Sequence, residues 1–457
     1  MGKTFSMKDK HGLLTDSIPD VLRRMTVPMT FGLVAILMFN LIDTFFISLL
    51  GTDALAAISF TFPVTFAVNC ITMGIGVGLS TSIGRLLGQN QAQNAARLAS
   101  HGLLLALLLV TIASLIGLVT IHPLFTLLGA DENLLPLIDQ YMQIWYLTIP
   151  LLVLPMAGNS AIRATGDTKT PAKMMMLSGV INGVLDPLLI FGIGPFPELG
   201  MQGAAIASGF SWLGALCGSA YMLVYREKLL ALPNLGKLIS DWCLILKIGT
   251  PAALSNAMNP LSGAVLMMII AESGKAAVAA YGAAQRIESI LILVLMSLTS
   301  ALTPFMAQNL GAENPQRSFA GLFLSMRFAI VFQLIIFVMM VPLSIPLSAL
   351  FSQEQSVRDL LWHYLLVVPI SYGFQGVIMM LVSAFNALHE PLKAFQWNFM
   401  RLFVFTLPSA WLGGTYYDIK GLFIGIAVGN IMGGLLGYLY ALRLRKQRCQ
   451  PLQTAKR

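Results

Sequence analysis

The chain has 457 residues, of which 56% are hydrophobic and only 11% charged, and its mean hydropathy is +0.78. Soluble domains carry about 25% charged residues, so this composition excludes a soluble enzyme or nucleic-acid-binding domain and indicates an integral membrane protein. The net charge of +8 mimics a nucleic-acid signature only until the charges are located, because most of them gather at helix ends on one side of the chain.

The first apolar run, 18–50, carries one carboxylate, Asp43, in its middle. About 20 apolar residues span a bilayer, and an ionisable group inside such a span costs a few kcal/mol. Such a group either bonds a neighbouring helix or marks an ion or substrate path. Ser17, Pro19 and Asp20 read as a helix start, which puts Pro28 well inside the helix. Pro28 removes the bond to the Arg24 carbonyl and Gly32 weakens the next turn, so the helix is either statically kinked or able to bend there. Asn40, on the same run, is a candidate for the wall of a substrate cavity.

Eleven further apolar segments follow, at about 54–83, 94–122, 136–158, 170–194, 200–225, 243–271, 277–307, 317–346, 357–387, 392–414 and 420–443. They are long and helical in pattern, unlike the short alternating strands of a membrane barrel. In the fourth, Tyr141, Trp145 and Tyr146 suit an interfacial belt and a cavity lining equally. In the fifth, INGVLDP sets Asn182 and Asp186 on one helix face. Pro187 then leaves the Gly183 carbonyl without its helical donor. A carboxylate, an amide oxygen and a bare carbonyl suit a proton or a small hard cation, and equally a kink whose polar groups satisfy one another. The seventh, eighth and tenth segments supply Asn259, Arg286 with Glu288, and Gln375. Asn259, Gln375 and Arg286 are further cavity candidates, whereas Arg286 and Glu288 lie two apart and cannot share a face. The four cysteines form no CxxC, so no metal or disulfide framework is expected.

The chain repeats itself at a spacing of 223 residues, which relates Pro28 to Pro251, Gly51 to Gly274, Gly88 to Gly311 and Ala164 to Ala387. Each half holds six segments, so both insert the same way up as a parallel repeat. The expected organisation is a first lobe at 1–225, a cytoplasmic linker at 226–242, a second lobe at 243–443 and a basic cytoplasmic tail at 444–457. The second half has Leu266 opposite Asp43 and Ser409 opposite Asp186, so ion chemistry is expected in the first half alone. On one side the connections carry only Lys275, Arg358 and Lys420 as basic residues, provided Arg327 and Arg401 snorkel to the other side. By the positive-inside rule both termini are cytoplasmic.

The motifs TVPMTFGLVAILMFNLIDTFFISLLGTDALAA, LLGADEN, AIRATGDTKTP and INGVLDP together make the chain similar to the multidrug and toxic compound extrusion (MATE) transporters over nearly its whole length. The resemblance implies an all-α polytopic membrane protein with twelve transmembrane helices in two six-helix lobes arranged in a V. It also implies proton- or sodium-driven export of organic, often cationic, compounds across a bacterial inner membrane. No enzymatic step and no cofactor beyond the coupling ion is expected. The expected partners are drug-like molecules and the lipid bilayer, with no nucleic acid, and the chain is expected to act as a monomer. Within the family the chain is similar to the DinF-type branch, which makes Asp43 and Asp186 the ion-coupling acids. Asn182, Tyr141 and Ser208 complete their network, with protons favoured and sodium at Asp43, Asn182 and Asp186 as the alternative. The NorM-type branch carries acids where this chain has Asn259 and Gln375. A lipid or lipid-linked-sugar flippase shares the two-lobe plan and should show several cavity arginines, for which only Arg286 is a candidate.

Overall fold

The computed structural model describes residues 11–449, and every regular element among them is helical. The first half contains α1 (Ile18–Ser48), α2 (Thr52–Gly88), α3 (Ala92–Leu127), α4 (Leu135–Ala164), α5 (Lys169–Ile190) and α6 (Gly200–Tyr221). The second contains α7 (Leu235–Ala271), α8 (Lys275–Leu291), α9 (Leu293–Gly311), α10 (Pro315–Phe351), α11 (Gln355–Val367) and α12 (Tyr372–Ala387). It ends with α13 (Pro391–Phe399), a wide π-type stretch at Met400–Thr406, and α14 (Leu407–Cys449). Ser17 starts α1 as expected, accepting from the Val21 N–H at 3.0 Å while its hydroxyl bonds Asp20.

Among the described residues, 11 helical stretches are long and apolar enough to cross a membrane. The last of them, Pro391–Cys449, leaves helical geometry at Tyr417 and at Asp418, whose φ is +54°. There the chain folds back: Gly413 lies against the Gly421 carbonyl, Gly425 against Ser409 and Gly429 against Thr406. This stretch therefore holds two antiparallel spans, which brings the total to twelve. The eighth expected segment is interrupted at Ile292, between α8 and α9.

The backbone carries the repeat more fully than the residue identities do. Thr52 and Lys275 open corresponding helices, Gly88 and Gly311 close them, and Ala164 and Ala387 end α4 and α12, always 223 apart. Left-handed residues recur at the same spacing: Gly51 and Gly274, Asn90 and Glu313, Gly166 and His389. Glycine adopts that geometry freely, and asparagine and histidine tolerate it, but glutamate holds it at a cost the surrounding turn must offset.

The chain divides into two compact units, one built on Arg24–Ala253 and the other on Leu13–Arg23 with the chain from Leu254 on. The start of α1 belongs to the second unit, and α7 begins at Leu235, inside the segment expected as the linker. The basic segment from 444 is helical as far as Cys449. The linker is also fastened to α3. The Ala231 N–H donates to Ser100 Oγ (2.9 Å), the Asn234 N–H to His101 Nε2 (3.0 Å), and Trp242 Nε1 to the His101 carbonyl (2.8 Å). Because His101 Nε2 accepts, Nδ1 carries the proton that meets Asp241 Oδ2 at 2.7 Å, and Arg97 Nε reaches the same oxygen at 2.9 Å.

Candidate ion site in the first unit

Close packing of α1 on α5 sets the site. A Cβ at Gly32 would meet Met175 Sδ at 2.9 Å and Ala172 Cα at 3.0 Å. Further along, a Cβ at Gly179 would lie 3.6 Å from the Ala35 carbonyl, and one at Gly183 would lie 3.9 Å from Ile42. The contacts advance together, so the helices run parallel, and the same register carries Asp43 level with Asp186. Gly32 thus serves close approach of two helices as well as any softness at Pro28, through which α1 continues as helix. α6 packs antiparallel on α5, with Gly203 against the Leu189 carbonyl and Gly214 against Ile181, which brings Ser208 to the cluster.

Asn182 and Asp186 are fully buried, and Ser208 and Tyr141 are 2% and 6% exposed. Asn182 Nδ2 donates to Asp186 Oδ1 at 3.0 Å and approaches Ser208 Oγ at 3.4 Å. The charge of Asp43 acts on Asp186, and both act on the Tyr141 hydroxyl, so the four helices converge on one polar point. Among the described residues no hydrogen-bond partner reaches Asp43 Oδ1, Asn182 Oδ1 or Asp186 Oδ2. Buried oxygens left so are costly unless a proton or a hard cation satisfies them. Oxygen ligands of this kind fit either ion.

The other expected site residues lie elsewhere. Asn40 and Arg286 are exposed, and among the described residues their side chains join no polar cluster. Trp145 and Tyr146 form neither belt nor cavity wall; they are 4% and 3% exposed, and Tyr146 packs on Gly117. Asp167 of the AIRATGDTKTP motif is structural: it accepts from the Lys169 and Thr170 N–H groups at 3.0 and 3.1 Å and opens α5. Arg401 does not snorkel. It is 5% exposed, and its Nη2 donates to Asn259 Oδ1 at 2.8 Å. Gln375 bonds the Glu288 carboxyl, which also accepts from the Tyr364 hydroxyl at 3.0 Å. This second cluster escaped the sequence reading, although Tyr364 stands 223 residues after Tyr141 and the repeat could have pointed to it.

A tandem repeat of six helices with a buried, partly unsatisfied acid pair in its first copy defines a multi-pass membrane carrier. The profile of the MatE family matches residues 28–188 and 251–412, one copy in each half, and the chain belongs to that family. An FAD transporter of Shewanella oneidensis is 46% identical over 450 residues, covering 98% of this chain and 99% of its own. The probable multidrug resistance protein YoeA of Bacillus subtilis is 26% identical over 401 residues, 86% of either chain. The crystal structure of the Vibrio cholerae MATE transporter VcmN in the bent form superposes with a TM-score of 0.90 at 31% identity, over 94% of this chain and 98% of that one. The chain is therefore a membrane transporter and no enzyme.

Proposed function

We propose that the protein exports a flavin dinucleotide or a similarly large aromatic compound, driven by inward flow of protons through the Asp43–Asp186 pair. The observation that carries the coupling is the convergence of Asp43, Asp186 and Asn182 with one unpartnered oxygen each. Two carboxylates held together in a dry setting exchange a proton readily, because each disfavours the other's charge and burial disfavours both. The flavin rests on the Shewanella relative, whose similarity spans nearly all of both chains. Export of cationic drugs is the second reading, supported by the relatives named for multidrug resistance. With both termini on the cytoplasmic side, as the basic connections favour, export in the cell is uptake in everted vesicles.

The deciding experiment is uptake of FAD and of ethidium by everted vesicles, with proton and sodium gradients imposed separately. FAD uptake driven by the proton gradient alone, and lost in Asp186→Asn, is expected. Uptake that demands sodium would reverse the choice of ion, and ethidium uptake without FAD uptake would reverse the choice of substrate.

A further inference from the structure

Two guanidiniums of the second unit share a groove of about 450 Å³. Its walls are Ile18 and Pro19 at the start of α1, Phe323, Leu324 and Arg327 of α10, and Arg445 of α14. Other arginines of this unit are spent on the chain itself: Arg317 donates to the Leu13 carbonyl at 3.1 Å, and Arg448 pairs with Glu390. Arg327 and Arg445 are exposed, and among the described residues no hydrogen bond or ion pair engages either. Phe323 is the buried part of the wall. It meets Tyr438 of α14 edge-on at 5.6 Å and carries the Arg445 guanidinium 5.6 Å from its ring centre. Stacking of this kind holds a guanidinium in place while its N–H fork stays open. On the α1 wall, the carboxylate of Asp20 accepts from the Ser17 hydroxyl.

The depth of the groove follows from the sequence. Beyond Arg327, residues 328–351 carry no charge and rise about 36 Å, against a hydrocarbon core of about 30 Å. In α14 the uncharged run 421–442 rises about 33 Å and stops at Arg443, two residues before Arg445. Both lining arginines therefore sit at headgroup level, on the side that the basic connections make cytoplasmic. Past the groove the same face of α10 continues as an exposed apolar stripe, Val331, Leu334 and Val338, at helical spacing from Arg327.

We propose that this groove holds the phosphate of an anionic phospholipid, clamped by Arg327 and Arg445, with an acyl chain laid along the α10 stripe. The guanidinium fork matches phosphate oxygens, and basic pockets between membrane helices on the cytoplasmic side suit such headgroups. A zwitterionic headgroup brings an ammonium of its own, which two guanidiniums disfavour. A lipid seated there ties the start of α1 to α10 and α14.

The test titrates phosphatidylglycerol, and separately phosphatidylcholine, into the full-length protein in dodecyl maltoside and counts retained lipids by native mass spectrometry. The parent should hold its first phosphatidylglycerol at least about tenfold tighter than phosphatidylcholine, the scale of one charge-assisted bond. The double variant Arg327→Gln with Arg445→Gln should lose that preference. Equal preference in parent and double variant would overturn the proposal. So would an equal loss in Arg443→Gln with Lys446→Gln, which removes two exposed charges outside the groove and would point to a diffuse surface field. Glycerol 3-phosphate should fail to displace the lipid; displacement at matching concentration would make the groove a soluble-phosphate site and overturn the lipid. Should the double variant fail to fold, Leu324→Trp fills the groove and keeps both charges. It should weaken phosphatidylglycerol binding, and unchanged binding would overturn the proposal. Binding is read without transport, so the outcome stands apart from that of the coupling reading.

Discussion

Three buried oxygens at the candidate ion site have no hydrogen-bond partner among the described residues, and each belongs to a different residue. Asn182 spends its N–H group on Asp186 Oδ1, so its own oxygen and Asp186 Oδ2 are left for the proposed coupling ion. Asp43→Asn and Asp186→Asn should each lower gradient-driven export by at least about tenfold, the scale of one lost charge-assisted bond. Western blotting of membranes should show unchanged protein, since neither change adds a charge. Full export in either variant would remove the shared site. These acids were legible in the sequence because a carboxylate stands out in an apolar run. Glu288 was not, because its reading was tied to Arg286 two residues away, on a face pointing elsewhere. Arg401 was misread as snorkelling because one charge near a span end carries no sign of its partners, and those partners, Asn259 and Asn398, come from another helix and from the preceding turn.

At the scale of the element, glycine decides how closely helices meet. Gly425 lies on the Ser409 backbone with Ala410 Cα 2.7 Å from where a Cβ would sit, and backbone cannot move aside as a side chain can. Gly425→Val should therefore destabilise the α14 hairpin by about 1–3 kcal/mol, read as a lower unfolding temperature in detergent. Gly282→Ala is the control, since open space surrounds a Cβ there, and it should leave that temperature unchanged or raise it. Pro28 of α1 bears on transport instead. Pro28→Ala restores the missing helical bond, and it should keep substrate binding, measured by fluorescence quenching, while slowing export. Export at the parent rate would show that no bend at Pro28 is needed. The hairpin was legible in the sequence, because the expected spans at 392–414 and 420–443 leave Tyr417 and Asp418, where the helix breaks, in the gap between them.

At the scale of the whole molecule, the repeat was readable from matching residue pairs such as Pro28 and Pro251, and the backbone extends it to left-handed positions where the side chains differ, as at Gly166 and His389. Geometry is retained where a turn demands it, while residue identity drifts, which is why a sequence comparison sees only part of the symmetry. What the repeat could not reveal is where the linker goes. It reads as a polar tether, yet Ser100 and His101 hold its backbone and Asp241 is gripped by Arg97 and His101. The first turns of α7 accordingly belong to the first unit. A chain cut between Lys228 and Leu229 would leave Ala231 to Ala253 attached to the second fragment. That segment should still dock on α3, so the two fragments, expressed together, should copurify through a tag on one of them. A half-buried ion pair with a shared histidine is worth more than an exposed pair, whose contribution is about 0–1 kcal/mol. In the cut chain, His101→Ala leaves the Asn234 N–H without its acceptor and removes one of two donors to Asp241, so recovery of the untagged fragment should fall several-fold. In the intact chain the covalent link keeps the segment at high local concentration, and the same substitution should leave transport nearly unchanged. Equal recovery with and without His101 would show that apolar packing of α7 holds the segment and that the polar fastening is dispensable.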